Sequence, residues 1–282
     1  MKILFTLLIF IWSTQACGQT KFFPPQYPWH FLDIWWEGIS DISDFQEISV
    51  DFRIVGEVPN TVDLYIAPLG LFKIGATSFY GGVQTNIGGW PTKFEQRRVE
   101  IGRGGIFSRW STDASPIPLS AADGAPDTHY ESASYEGAFI SVRRHVNWTQ
   151  GWYTYTVMKL KVETGVHPMV WFGAYLLEHA SGVETYLGSL RLDQQDMFLD
   201  RSIAAFVEIY GDKSVIPQLT VVFSAPKVDG RVRPYKRIVT SYPQTGLAHV
   251  SRFATATRID DSVYISVLPA GIGDGVHQEE LY

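Results

Sequence analysis

Short runs of alternating apolar and polar residues recur along most of this chain. No stretch carries a 3.6-residue apolar stripe for more than two turns. The cleanest run is 47–54. Ile48, Val50, Phe52 and Ile54 face one way, and Ser49, Asp51 and Arg53 face the other. Runs at 63–67, 72–84, 106–110, 139–143, 153–162, 170–177, 185–190, 204–210 and 219–224 have the same strand character, with Gly, Pro, Asp and Ser between them. A series of half-buried strands joined by turns predicts an all-β fold, an antiparallel β-sandwich of the jelly-roll or concanavalin-like kind.

Composition supports a large core. Of 282 residues, 45% are hydrophobic and 18% charged, so disorder is excluded as a general state. Aromatics reach 14%, with nine Trp, which suits strands and also supplies rings that can stack on sugars. The net charge of −6 argues against a nucleic-acid partner, which needs a basic surface to displace counterions.

Residues 1–18 read as a secretory signal: Lys2, an apolar run over 3–12 too short to span a bilayer, then Ala16-Cys17-Gly18 at the cleavage positions. A lipid-anchored product through Cys17 is the minority reading, because Thr14 stands where such signals carry leucine. Cys17 is the only cysteine, so a mature chain would have no disulfide. No later segment is apolar for long enough to be a transmembrane helix. The expected organisation is a sandwich over 19–228 and a C-terminal segment over 229–282, read as an extension packed on it or equally as another strand pair of the same domain, with a strand candidate over 259–268.

Four segments carry a family resemblance: Phe79-Tyr80-Gly81-Gly82-Val83-Gln84-Thr85-Asn86, then Gly104-Gly105-Ile106-Phe107-Ser108-Arg109-Trp110, then Tyr135-Glu136-Gly137-Ala138-Phe139-Ile140-Ser141-Val142-Arg143-Arg144, then Asn147-Trp148-Thr149-Gln150-Gly151-Trp152-Tyr153. Taken in order, with Glu208-Ile209-Tyr210-Gly211 later, they resemble the secreted, mostly bacterial proteins grouped as domain of unknown function 3472. The resemblance covers roughly residues 75–225. It implies a lectin-like or jelly-roll sandwich in carbohydrate-related surroundings and supplies no catalytic residue. Tyr135 and Ala138 depart from the pattern, standing where relatives carry polar or charged residues.

Candidate chemistry is sparse. Glu131 and Glu136 are the carboxylate pair to consider for glycoside hydrolysis, with Glu131 expected in a loop. The alternative is that Glu136 forms an ion pair with Arg109 or Arg143 at a sheet edge. Trp90, Trp110, Trp148 and Trp152 could stack on a glycan, Trp90 being expected as the most exposed. Trp35 and Trp36 are adjacent, so on a strand one faces in and the other out. His129 with Asp127 and Glu131 is a weak metal cluster, and Asp123 and Asp127 would suit calcium better, but neither spacing matches a recognised loop and no cofactor is expected. Asn147-Trp148-Thr149 is a glycosylation sequon.

The sequence therefore predicts a secreted protein that binds a glycan or an extracellular matrix component. Its expected ligand-binding residues are Gln84, Trp90, Arg109, Trp110, Glu136 and Arg143. Two other readings stand beside it: a glycoside hydrolase or polysaccharide lyase using Glu131 or Glu136, and a self-assembling structural or adhesive matrix protein.

Overall fold

The structure is a computed structural model that describes residues 29–95, 97–135, 137–164, 169–192, 197–210, 216–242, 253–272 and 278–281. The expected leader over 1–18, Cys17 and Glu136 lie outside the described residues.

Among the described residues nineteen strands follow one another: β1 (Trp29–Gly38), β2 (Glu47–Val55), β3 (Leu64–Ile74), β4 (Thr77–Gly89), β5 (Val99–Trp110), β6 (Ala122–Asp123), β7 (His129–Ala133), β8 (Phe139–His145), β9 (Gly151–Glu163), β10 (Met169–Glu178), β11 (Glu184–Leu192), β12 (Ser202–Ile209), β13 (Leu219–Ser224), β14 (Lys227–Val228), β15 (Arg231–Val232), β16 (Tyr235–Ser241), β17 (Ala254–Ile259), β18 (Ser262–Val267) and β19 (Gln278–Glu280). One sheet has the order β19-β16-β1-β12-β3-β4-β5-β8-β7. The other runs β17-β18-β13-β2-β9-β10-β11-β6, with β14 paired to β2 and to β15. All pairings between these strands are antiparallel, and the two sheets pack face to face as a β-sandwich. Among the described residues no helix is long and apolar enough to cross a membrane.

Aromatic rings bridge the two sheets. Phe79 on β4 stacks on Phe72 of β3 and Phe107 of β5, with centroids 5.4 and 5.6 Å apart. It meets Phe172 of β10 edge-on at 6.5 Å. Tyr155 of β9 crosses the core to donate its hydroxyl to the Ile106 carbonyl of β5 at 2.7 Å. Gly81 makes that crossing possible, because a Cβ there would stand on the Tyr155 hydroxyl and 2.6 Å from Cζ. The glycines of the Phe79–Asn86 segment are thus spacing residues for the sandwich, not a ligand loop.

Four elements differ from the sequence reading. The run at 72–84 is two strands, because Gly75 takes φ 57° and turns the chain between Ile74 and Thr77. Residues 29–38, bounded by no clear turn signal, form β1 in the middle of a sheet. Glu131 lies on strand β7 rather than in a loop. The basic run near residue 235 leads into β16, which sits between β1 and β19; β17 and β18 extend the other sheet. Residues 229–282, read either as an extension or as further strands of the same domain, contribute hydrogen-bonded strands to both sheets.

Gly81→Ala should destabilise the fold by about 1–3 kcal/mol through overpacking against Tyr155. Chemical denaturation measures this, and an unchanged midpoint would contradict the close approach.

Candidate functional site: a concave cleft on the nine-stranded sheet

Antiparallel pairing puts directly opposed residues on the same face of a sheet. On the nine-stranded sheet His30 of β1 pairs with Glu208 of β12, Glu208 with Tyr65 of β3, and Tyr65 with Gln84 of β4. These four side chains form one row across four strands, on the face turned away from the other sheet. They line a cleft of about 770 Å³.

The floor and walls of the cleft are apolar. Tyr65, Ala67, Tyr80, Ile106 and Phe206 form a buried cluster separate from the main core, with Trp110 and Tyr210 packed against it. The rings of Tyr80 and Trp110 meet at a tilt of 38°, with centroids 4.4 Å apart. Trp35 lines the cleft while its neighbour Trp36 is buried in the core, as strand alternation requires.

The row is held from several sides. Trp148 reaches from the core to donate its indole N–H to the Gln84 carbonyl at 3.1 Å. The Thr85 hydroxyl bonds the backbone of Val62 and Leu64 at 2.6 and 2.8 Å. The Tyr210 hydroxyl both donates to and accepts from the Asn86 backbone, at 2.8 and 3.1 Å. Gln84 thus sits on a clamped stretch of β4, while its side chain lines the cleft. Burial pushes the Tyr65 phenol well above its ordinary pKa, and its hydroxyl has no hydrogen-bond partner among the described residues.

At one end of the cleft a β-bulge between His30 and Leu32 changes the phase of β1. Phe31 and Leu32 both enter the core, so His30 and Asp33 share the cleft face. The His30 Nδ1 lies 2.6 Å from Asp33 Oδ1, and its Nε2 lies 3.5 Å from Glu208 Oε2. Its ring stacks on Phe206 at 4.1 Å.

At the other end Arg143 of β8 forms a buried ion pair with Glu131 of β7 and donates to the Gly88 carbonyl at 2.5 Å. Each of these two side chains is only 7% exposed. Arg98 reaches the same carboxylate at 2.9 Å, and the Tyr135 hydroxyl donates to it at 3.3 Å. Glu131 is therefore surrounded by cations and a phenol, and is poorly placed to act as a catalytic acid or nucleophile.

The structure gathers Gln84, Trp110 and Arg143 around one cleft. Trp90 and Arg109 stand elsewhere, as do two of the other tryptophans. Trp90 bridges Tyr130 through its backbone, away from the cleft lining. Arg109 alternates with Trp110 and points, buried, to the opposite face. Trp148 is a core residue, and Trp152 stacks on His179 of the other sheet. Arg143 pairs with Glu131, because the two lie on paired strands facing the same side; the expected pairing of Glu136 with Arg109 or Arg143 falls on a residue outside the described ones. The would-be calcium ligands are engaged in ion pairs, Asp127 with Arg144 at 2.9 Å and Asp123 with Lys93 at 3.4 Å. No group of three or more His, Cys, Asp or Glu suited to a metal occurs among the described residues. Asn147 is exposed between β8 and β9.

Sequence reasoning missed His30, Asp33, Tyr65 and Glu208. Glu208 did carry a signal, as the lone carboxylate in the otherwise apolar run Ala204-Ala205-Phe206-Val207-Glu208-Ile209.

No family model and no curated protein matches the chain. Two solved structures of scytalido-glutamic peptidase align with it, one with a transition-state analogue inhibitor and one with a peptide-based transition-state analogue. They cover 86% and 83% of this chain and 98% of their own, at TM-scores of 0.37 and 0.36 and identities of 13% and 12%. SCP-B, a member of the eqolisin family of peptidases bound to a tripeptide, aligns over 83% of this chain and 98% of its own, at TM-score 0.34 and 12% identity. At these scores the likeness carries no argument about the chemistry of this chain.

Glu131→Gln should destabilise the protein by about 3–5 kcal/mol, since it leaves a buried Arg143 without its counter-charge. Replacing both partners, Glu131→Leu with Arg143→Met, should recover most of that loss. Equilibrium denaturation of the two variants checks the pair.

Proposed function

We propose that this chain is a secreted hydrolase that cleaves an acyl bond, amide or ester, in the concave cleft. The observation that carries the reading is the row itself: Glu208 and Gln84 flank Tyr65 in register and line the same cleft. A carboxylate and a neutral amide on either side of a bound carbonyl suit its hydrolysis. Glu208 takes a proton from a water molecule, whose oxygen attacks the carbonyl carbon. The Gln84 amide N–H donates to the carbonyl oxygen as it gains negative charge. Glu208 then returns the proton to the leaving nitrogen or oxygen, and the acid and the amine or alcohol depart.

Glycosidic cleavage fits less well. An inverting mechanism needs two carboxylates about 6.5–9.5 Å apart with room for water between them. Here the imidazole of His30 fills the space between Asp33 and Glu208. Glu131 is held by Arg143 and Arg98.

A second reading, glycan binding without catalysis, is favoured by the rings of Trp35, Tyr80 and Trp110 along the cleft. One comparison separates the two. On a panel of peptide and ester substrates, Glu208→Gln should lower kcat by about 10²–10⁴-fold. Gln84→Ala should lower it by about 10²–10³-fold. A wild-type protein that turns over none of them yet binds on a glycan array would replace the hydrolase reading with the second.

A further inference from the structure

Next to Glu208 the cleft contains two polar side chains, Asp33 and His30, that the acyl-transfer scheme does not use. Asp33, His30 and Glu208 form a continuous chain across β1 and β12, and the Ser241 hydroxyl of β16 extends it by donating to Asp33 at 3.3 Å. We propose that His30 is a positioning residue for Glu208: its imidazolium, held by Asp33, orients the Glu208 carboxylate and keeps it ionised. This rests on the reading of Glu208 as the proton-transferring group.

Three observations support it. The first is the β1 bulge. Without the extra residue, positions 30 and 33 would face opposite sides of the sheet, and no Asp–His pair could form in the cleft. The second is ring fixation. Phe206 stacks on one face of the imidazole with 18° between planes, so the Nδ1–Nε2 axis points from Asp33 towards Glu208. The third is charge. Among the described residues, the ionisable groups paired with His30 are Asp33 from its own strand and Glu208 from β12. Burial opposes protonation of His30. The hydrogen bond to Asp33 and the two carboxylate charges outweigh it, and the pKa is raised above the ordinary histidine value.

The pH consequences follow from the sign of that shift. Below the raised pKa His30 is a cation and its pairs with Asp33 and Glu208 are intact. As pH rises through it the cation is lost, and Glu208 keeps its charge but loses its orienting partner. Removing His30 also removes the positive neighbour that favours ionised Glu208, and leaves Asp33 as a bare negative one. Both effects raise the Glu208 pKa.

Two measurements on the full chain test this. In hydrolysis assays, His30→Asn should shift the acid limb of the kcat profile upward by about one pH unit or more, with KM little changed. It should also abolish any limb that follows the histidine. In NMR titration of the His30 ring, Glu208→Gln and Asp33→Asn should each lower the titration midpoint relative to wild type. An unmoved His30 midpoint in Glu208→Gln, or an unshifted acid limb in folded His30→Asn, overturns the proposal. Absence of any wild-type hydrolysis overturns the reading of the cleft, and the NMR titration then decides the coupling independently. A merely structural His30 would change the thermal midpoint without moving either pH readout.

Discussion

Antiparallel register is the constraint on which the rest of the molecule depends. Because opposed residues on neighbouring strands share a face, a single choice of pairing across β1, β12, β3 and β4 brings His30, Glu208, Tyr65 and Gln84 abreast. The same choice sends Ile34, Val207, Leu64, Ile66 and Val83 into the core. A slip of one residue in any of these pairings would bury the polar set and expose the apolar one. The large apolar area of the core thus enforces the geometry of the cleft, although none of the core residues touches it.

Most sandwich sheets bury one face and leave the other wet. Here the second face of the nine-stranded sheet also carries a small apolar cluster, built from Tyr65, Ala67, Tyr80, Ile106 and Phe206. That floor lowers the local polarity around Glu208 and Gln84, where charge–dipole interactions are stronger than in water. The two ends of the cleft differ in electrical character. One holds Asp33, His30 and Glu208, and the other holds Arg98 and Arg143 around Glu131. Rigidity comes from behind through Trp148 and Thr85 and from the cleft side through Tyr210, whose bonds to backbone groups fix the strand that carries Gln84.

The motifs of highest visibility in the sequence turn out to serve packing. Gly81 leaves space for Tyr155, and Gly105 leaves space for Leu187. Trp148 is a core ring covered by Arg103 at 4.7 Å. Conspicuous Trp and Gly residues mark places where the backbone comes close or a large ring must fit, and those demands are local enough to be read. The cleft carboxylate was less visible because Glu208 gains its meaning from Tyr65 and Gln84, more than a hundred residues earlier in the chain.

The sequence by itself determined that this chain builds strands, that they are amphipathic and antiparallel, and that they close into a sandwich. Period-two alternation and turn residues act over a few positions, and they suffice for that. It also placed Trp35 and Trp36 on opposite faces, and singled out Gln84, Trp110 and Arg143, which meet around one cleft. Only the tertiary structure decided that Arg143 pairs with Glu131, that residues beyond 228 complete both sheets, and that His30, Asp33 and Glu208 meet. Those facts depend on which distant strands become neighbours and on a bulge in β1. Both are set by the summed packing of two whole sheets, a quantity that no local window of sequence contains.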